Sequence, residues 1–372
     1  MFSSMLRTRG FLSHPPAQRS GLNLGDTPRP PAEGLRPSAL PAFQHRSSLP
    51  RLILLTASAC VVAVACGGGG SEPPTAAQIC GATPDVPAIV NSSELVEASG
   101  LASSRADENF LWAHNDSGDT ARAFAIDRQG NHHGTYTLAG ADAIDWEDMA
   151  VGPGPEDGVS YLYLADIGDN AMQREQVIVY RVPEPEVPTR ADTPSDDSPL
   201  DQVETLTLVY PDRPHDAETL LVDPETGDLL IVTKELAGGP SSVFQTSGTL
   251  EDGSATQLEL VIEIDFPSFV SSVEVPDDAP PIVRAVPNLP TGGDVSPDGG
   301  LVIVRTYGSV WVWAHSDEAT PLWTVFAAAP CEAPSAIEEQ GETIAFDADG
   351  RGYTTVSEGE RPAVHHFSAG ED

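Results

Sequence analysis

The chain reads as all-β: a single β-propeller of five four-stranded blades, closed in its last blade by an N-terminal strand. Three observations predict this. One short phrase returns five times, as a small or acidic residue leading an apolar stretch into a tight turn. β-Branched and aromatic residues alternate through the segments that follow each copy. No stretch shows helical periodicity. The copies are Ala98-Ser99-Gly100-Leu101-Ala102, Trp146-Glu147-Asp148-Met149-Ala150, Ala217-Glu218-Thr219-Leu220-Leu221, Gly293-Asp294-Val295-Ser296 and Gly341-Glu342-Thr343-Ile344-Ala345. Their anchors, Ser99, Glu147, Glu218, Asp294 and Glu342, are 48, 71, 76 and 48 residues apart. A repeat of about 40–50 residues with strand-like content is the signature of propeller blades.

Residues 1–65 stand outside the repeat. The first 51 residues carry seven arginines and only Asp26 and Glu33 as acids. A short apolar run follows, from Leu52 to Ala65, then Cys66 and four glycines. A basic flank, a short apolar segment and small residues before a cysteine predict a secretion signal and not a membrane span. Ala63-Val64-Ala65-Cys66 resembles a bacterial lipobox, in which Cys66 carries the lipid; Cys60 is a weaker alternative. The expected product is exported and lipid-anchored at the bacterial cell envelope, in the outer membrane or periplasm, and touches membrane only through that anchor. Residues 66–82 read as a flexible Gly/Pro/Ala tether.

The remaining chain suffices for one large β domain, residues 83–369, expected as a monomer. The whole chain has a formal net charge of −37; taking away the seven basic and two acidic residues of the lead leaves 12 basic against 54 acidic residues, a net −42. Nucleic acid is excluded as a partner at that charge. Cation attraction and solubility in a salty medium both fit it. Cys80 and Cys331 are the cysteines left after Cys60 and Cys66. In an exported chain they are expected to pair, tying the start of the ring to its last blades.

The blades follow in order. Blade one runs from Ser99 to about Leu138. Blade two starts at Glu147 and closes with Leu206 to Tyr210, after an acidic Pro-rich insertion at 183–202 that reads as a disordered surface loop. Blade three spans Glu218 to Ile264. Residues 265–290 are less regular; a blade built there would make six. Blade four runs from Asp294 to an outer strand at Trp323–Phe326. Blade five uses Glu342 to Phe367 and lacks a fourth strand, which Val86 to Val96 is placed to supply. The turns at 223–228, 297–300 and 347–350 are hairpin chemistry on the opposite face, and their aspartates are not expected to be ligands.

In a propeller the inner strand begins where the second strand ends. The five anchors and the ends of the second strands, His114-Asn115-Asp116, Asp166, Lys234, Arg305 and Ser357-Glu358, are therefore expected on one rim. Taken singly, each also suits a cap or a turn at an exposed sheet end. Convergence from five blades favours a ligand site. Asn115, Asp116, Glu147, Asp166, Glu218, Asp294 and Glu342 offer hard oxygen donors for a divalent cation, with Ca²⁺ the expected ion. Lys234 is the sole lysine of the chain; with Arg305, Ser357 and Glu358 it is read as holding a small anionic ligand. His114 or Asp145 is the expected proton acceptor if the site is catalytic. His215, the pairs His132-His133 and His365-His366, and Gly152-Pro153-Gly154-Pro155 read as structural.

The phrases His114-Asn-Asp-Ser-Gly-Asp119, Asp145-Trp-Glu-Asp-Met-Ala150, Asp166-Ile-Gly-Asp-Asn170, Asp216 to Asp223, Val295 to Gly299 and Gly341 to Gly352 resemble a bacterial group of secreted or lipoprotein propellers, over residues 97–367. The Ser99-Gly-Leu-Ala102 start and the Glu-led inner strands more distantly resemble phytase-like esterase and gluconolactonase/regucalcin-like propellers. That resemblance implies a divalent cation in the channel and a metal-dependent phosphoester, ester or lactone hydrolase. The alternative is a non-catalytic surface propeller that binds a protein or glycan.

Overall fold

A computed structural model describes residues 72–188, 195–269, 271–272, 285–317 and 319–370. Cys66, Cys60 and the rest of the lead lie outside the described residues. No described helix is long and apolar enough to cross a membrane.

Five antiparallel sheets follow one another along the chain, each numbered outward from its inner strand. Blade one is Ala98–Ser103, Phe110–Asn115, Arg122–Asp127 and His132–Leu138. Blade two is Trp146–Pro153, Ser160–Asp166, Val177–Pro183 and Glu204–Val209. Blade three is Ala217–Val222, Leu229–Thr233, Ser241–Gln245 and Glu259–Ile264. Blade four is Pro290–Val295, Leu301–Thr306, Val310–Ala314 and Cys331–Ala333. Blade five is Ala345–Phe346, Gly352–Val356 and Ala363–Ser368. Its outer position is filled by Thr83–Pro84 and Ala88–Ile89, both antiparallel to Ala363–Ser368. Ala88–Ile89 lies inside the Val86–Val96 segment expected to close the ring, and Thr83–Pro84 adds to it from just before.

Strand alternation explains how the blades stack. Successive side chains point to opposite faces of a sheet. In the second strand of blade two, Tyr161, Tyr163 and Ala165 pack toward blade three, while Leu162 and Leu164 pack toward blade one. In blade three, Leu229 and Ile231 face blade two, and Leu230 and Val232 face blade four. Each blade interface has its own hydrophobic cluster, and the last of these sets Val356 and Val364 of blade five against Leu101, Leu111 and Phe124 of blade one.

The structure departs from the sequence reading in four places. The 183–202 insertion is not a loop throughout: Ser195–Leu200 runs parallel to His132–Leu138 as a fifth strand of blade one, where it covers an open sheet edge. Ala255–Gln257 does the same for blade two. Within the 66–82 tether, Ala76–Cys80 forms a short helix with a capping box from Thr75 and Gln78, and Ile79 is fully buried. Cys80 is disulfide-bonded to Cys331, across a sequence separation of 251. In blade four, the segment read as the outer strand is the 3-10 helix Leu322–Ala327; its apolar residues Leu322, Val325 and Phe326 are spaced by a helical turn, and they bury on that side. Residues 265–290 hold two 3-10 turns, Phe266–Ser268 and Val286–Asn288, and among the described residues no strand before Pro290, where blade four begins.

Candidate functional site

Every inner strand carries a one-residue bulge near its start. The register slips between Ala98 and Gly100, between Trp146 and Asp148, between Ala217 and Thr219, and between Pro290 and Gly292. In blade five the bridge Gly341–Ser357 and the pair Ala345–Thr354 differ by the same single residue. The extruded residues are Ser99, Glu147, Glu218, Thr291 and, in blade five, Glu342. A bulge re-aims a side chain out of the ladder, and bulges recur beside functional sites.

A second set of residues closes the rim. The N–H of Asp116, Gly168, Lys234, Tyr307 and Glu358 donates to the carbonyl of Glu97, Asp145, Asp216, Leu289 and Gln340 respectively, at 2.7 to 3.2 Å. Each acceptor lies two residues before a bulge. Ring position therefore pairs Ser99 with Asp116, Glu147 with Gly168, Glu218 with Lys234, Thr291 with Tyr307, and Glu342 with Glu358.

Blade two differs from the rest because its closing residue is Gly168. A Cβ there would lie 2.1 Å from Glu147 Oε1 and 2.6 Å from Asp145 Oδ2. The space left by the missing side chain is taken by two carboxylates. Asp116, Asp145 and Glu147 each offer an oxygen within 4.8 Å of the others. Glu147 is 4% exposed, and its main-chain carbonyl accepts the Ser99 hydroxyl at 2.7 Å.

The remaining carboxylates lie on the blade three to five side. Lys234 Nζ is ion-paired with Glu218 Oε1 and donates to the Tyr307 hydroxyl at 3.2 Å. Tyr307 donates to Glu342 Oε1 at 3.0 Å, as does the Gln340 amide at 3.0 Å. Glu218 Oε2 is buried and has no partner.

Crowding shows in the acid–base properties. Burial, and then the charges of Glu342, Asp145 and Glu97, push the Asp116 carboxyl up to about 7, against a hydrogen bond from Ser117 N–H. Burial and Asp216 push Asp145 up to about 6, with Arg174 and Lys234 pulling the other way. Burial and the charges of Glu218, Asp116 and Asp145 hold Glu147 well above the usual carboxylate range. Burial and Glu342 raise Glu218 to about 8 even with Lys234 beside it. Burial and the neighbouring Glu342 raise Glu358 to about 10. Burial alone would depress Lys234, but Glu218, Tyr307 and Glu147 raise it above its ordinary value, so it stays an ammonium.

Several residues read as ligands from sequence are engaged elsewhere. Asn115 accepts from the N–H groups of Val96 and Glu97 at 2.9 and 3.0 Å, and its amide donates to Glu94 O and Asp119. All its hydrogen-bonding capacity is spent on the entry loop of blade one. Asp166 is fully buried, bonds Arg174 at 2.7 Å and accepts the N–H of Asp145 at 3.1 Å; it positions Asp145. Asp294 lies three residues beyond the bulge, where it accepts the N–H groups of Val295 and Phe346, both at 2.8 Å. The bulge residue of blade four is Thr291, whose hydroxyl donates to Gly341 O at 3.2 Å.

Arg305 is 3% exposed, ion-paired with the equally buried Glu338, and donates to Thr343 O at 3.2 Å. Its Nε has no partner but is buried, and Lys234 gives two of its three N–H groups to Glu218 and Tyr307. Ser357 exchanges hydrogen bonds with the Gln340 backbone at 3.0 and 3.3 Å. His114 is fully buried, pairs its Nδ1 with Asn115 O at 3.0 Å and meets Trp146 edge to face; burial lowers its pKa. Gly100 leaves room for its ring. His215 bonds Asp212 at 3.0 Å and packs between Tyr210 and Phe244.

Sequence reasoning missed Tyr307, Gly168, Gln340, Glu338 and the bulge role of Thr291. Tyr307 follows the bulge residue Thr291 at the interval that separates Lys234 from Glu218, but a count from the anchor Asp294 passes it by.

No family model and no curated protein sequence matches the chain. Among solved structures the chain is similar to hydrazine synthase of Kuenenia stuttgartiensis, at 9% identity over 72% of this chain and 82% of that one, with a TM-score of 0.38. A likeness that distant carries nothing about activity; the five-bladed β-propeller rests on the sheets themselves.

Proposed function

We propose that this is an exported, lipid-anchored propeller that holds a divalent cation at one rim of its channel and binds a small ligand beside it. The observation that carries the reading is the meeting of Asp116, Asp145 and Glu147 over Gly168. Three carboxylates at that spacing repel one another unless a cation or protons neutralise them. They are hard oxygen donors, and they suit Ca²⁺ or Mg²⁺. Glu147 is almost wholly buried, and a buried carboxylate is the kind of group that costs most without a partner.

Hydrolysis is the second reading, and Asp145 favours it. A carboxyl raised to about 6 can accept a proton from water near neutral pH. A bound cation would supply polarisation of a phosphoryl or carbonyl oxygen. Binding is the stronger reading, because His114 and Arg305, the other groups such a mechanism would recruit, are buried away from the channel water, His114 Nδ1 against Asn115 O and Arg305 against Glu338.

The test is the melting temperature of the exported chain in Ca²⁺. Binding to the folded state raises it by mass action. The rise should disappear in the double variant Asp116→Asn with Asp145→Asn, and persist in Asp298→Asn and Asp349→Asn on the opposite face. A rise that survives the rim pair belongs to screening of the acidic surface and ends the cation reading. Release of p-nitrophenol from phosphate or acetate esters, lost in Asp145→Asn, would move the balance to the hydrolase.

A further inference from the structure

The polar groups of the rim are unevenly matched. Its donors are mostly engaged: Lys234 gives two of its three N–H groups to Glu218 and Tyr307, and Tyr307 and Gln340 donate to Glu342. The bulge hydroxyls Ser99 and Thr291 donate to the main-chain carbonyls of Glu147 and Gly341 in the next blade. Acceptors are left over. Glu218 is 4% exposed, and its Oε2 has no partner. Glu147 lies one blade away, near enough that the charge of Glu218 helps hold its carboxyl above the usual range.

Charge points the same way. Asp116, Asp145, Glu147, Glu218, Glu342 and Glu358 face one ammonium, Lys234. A free anion entering the rim would meet six carboxyl groups and one ammonium, Lys234, two of whose three N–H groups are already committed. A neutral polyol would bring donors but no charge.

We propose that the ligand received beside the cation site is an organic ammonium, a primary amine or short diamine, held by Glu218 Oε2 and Glu147. The proposal rests on the reading of the rim as a ligand site and replaces the expected anionic ligand. A protonated amine supplies what the rim lacks: three N–H donors and a positive charge, as Lys234 already does for Glu218 Oε1.

The test uses the full exported chain at constant ionic strength, with diaminobutane, butanediol and inorganic phosphate as probes, each followed by calorimetric titration and by melting. Diaminobutane should bind and raise the melting temperature, while butanediol and phosphate do neither. Glu218→Gln should weaken diaminobutane roughly tenfold or more, as loss of a charged hydrogen bond does, and leave the Ca²⁺ response in place. Equal binding of butanediol, tighter binding of phosphate, or an unchanged affinity in Glu218→Gln would overturn the proposal. Should Glu218→Gln not fold, Lys234→Met serves instead. It frees Glu218 Oε1, so diaminobutane should bind more tightly than to the parent; unchanged or weaker binding overturns the proposal. A Ca²⁺ response without any amine response sinks the ammonium ligand and spares the cation site. An amine response lost in Glu218→Gln, with no Ca²⁺ response, does the reverse.

Discussion

Asp148 in blade two accepts the backbone N–H of Gly293 in blade four at 3.1 Å, across 145 residues of sequence. The same oxygen takes the N–H of Leu220 in blade three at 2.9 Å, and the other takes that of Met149 at 2.8 Å. One fully buried carboxylate therefore ties the inner strands of three successive blades. Asp148→Ala strands these donors, at about 1–3 kcal/mol each, and should destabilise the domain by about 3–5 kcal/mol in urea unfolding. Asp148→Asn keeps one acceptor and should lose less. A melting curve for Asp148→Ala that overlays the parent would remove this carboxylate from the fold's supports.

The rim carboxyls set the pH profile of stability. Those of Asp145, Asp116, Glu218 and Glu358 are raised to about 6, 7, 8 and 10. Each holds its proton more tightly folded than unfolded, where carboxyls titrate near 4. Between that value and the raised ones the folded chain carries the extra protons, so stability falls as pH rises through this window. Melting in chelator should therefore drop from about pH 5 to about pH 9, and Ca²⁺ should restore it most at the upper end, where it no longer competes with protons. Glu218→Gln should flatten the upper part of the fall. A melting temperature that climbs steadily over the same range without cation contradicts the crowding.

Gly168→Ala tests the site by filling it. The new methyl would stand 2.1 Å from Glu147 Oε1 and 2.6 Å from Asp145 Oδ2, so both carboxylates must turn away. The Ca²⁺-dependent rise in melting temperature should vanish, while the far-ultraviolet circular dichroism stays that of the parent. Retention of the full Ca²⁺ response would mean that these two carboxylates do not hold the ion.

The blades were legible because each interface is built by alternating side chains on short strands, a pattern local enough to read from Tyr161 to Leu164 or from Leu229 to Val232. The rim was legible only in part. Glu147, Glu218 and Glu342 stand out as lone acids opening apolar strands, but the same rule picked Asp294 in place of Thr291, since a bulge leaves no mark of its own in the sequence. Partner choice was hidden for the same physical reason. Arg305 finds Glu338 and Asn115 finds the backbone of residues 96 and 97 through folds of the chain that no spacing rule encodes. The outer strand at Ser195–Leu200 was missed because polar and proline residues suit an edge as well as a loop.

A residue pushed out of a β-ladder answers to no cross-strand neighbour. Five such positions at one height make the mouth of the channel separable from the walls that support it. Ser99 and Thr291 fasten one blade to the next through a carbonyl, while Glu147, Glu218 and Glu342 bring carboxyl groups to the rim, and the ladders around all five run on alike. Exchange of one letter at any of these places changes what the mouth can attract without repacking a blade. The propeller behaves as a fixed socket with five interchangeable contacts, and that short fingerprint, more than the bulk of the chain, is where copies of this protein would part company in what they bind.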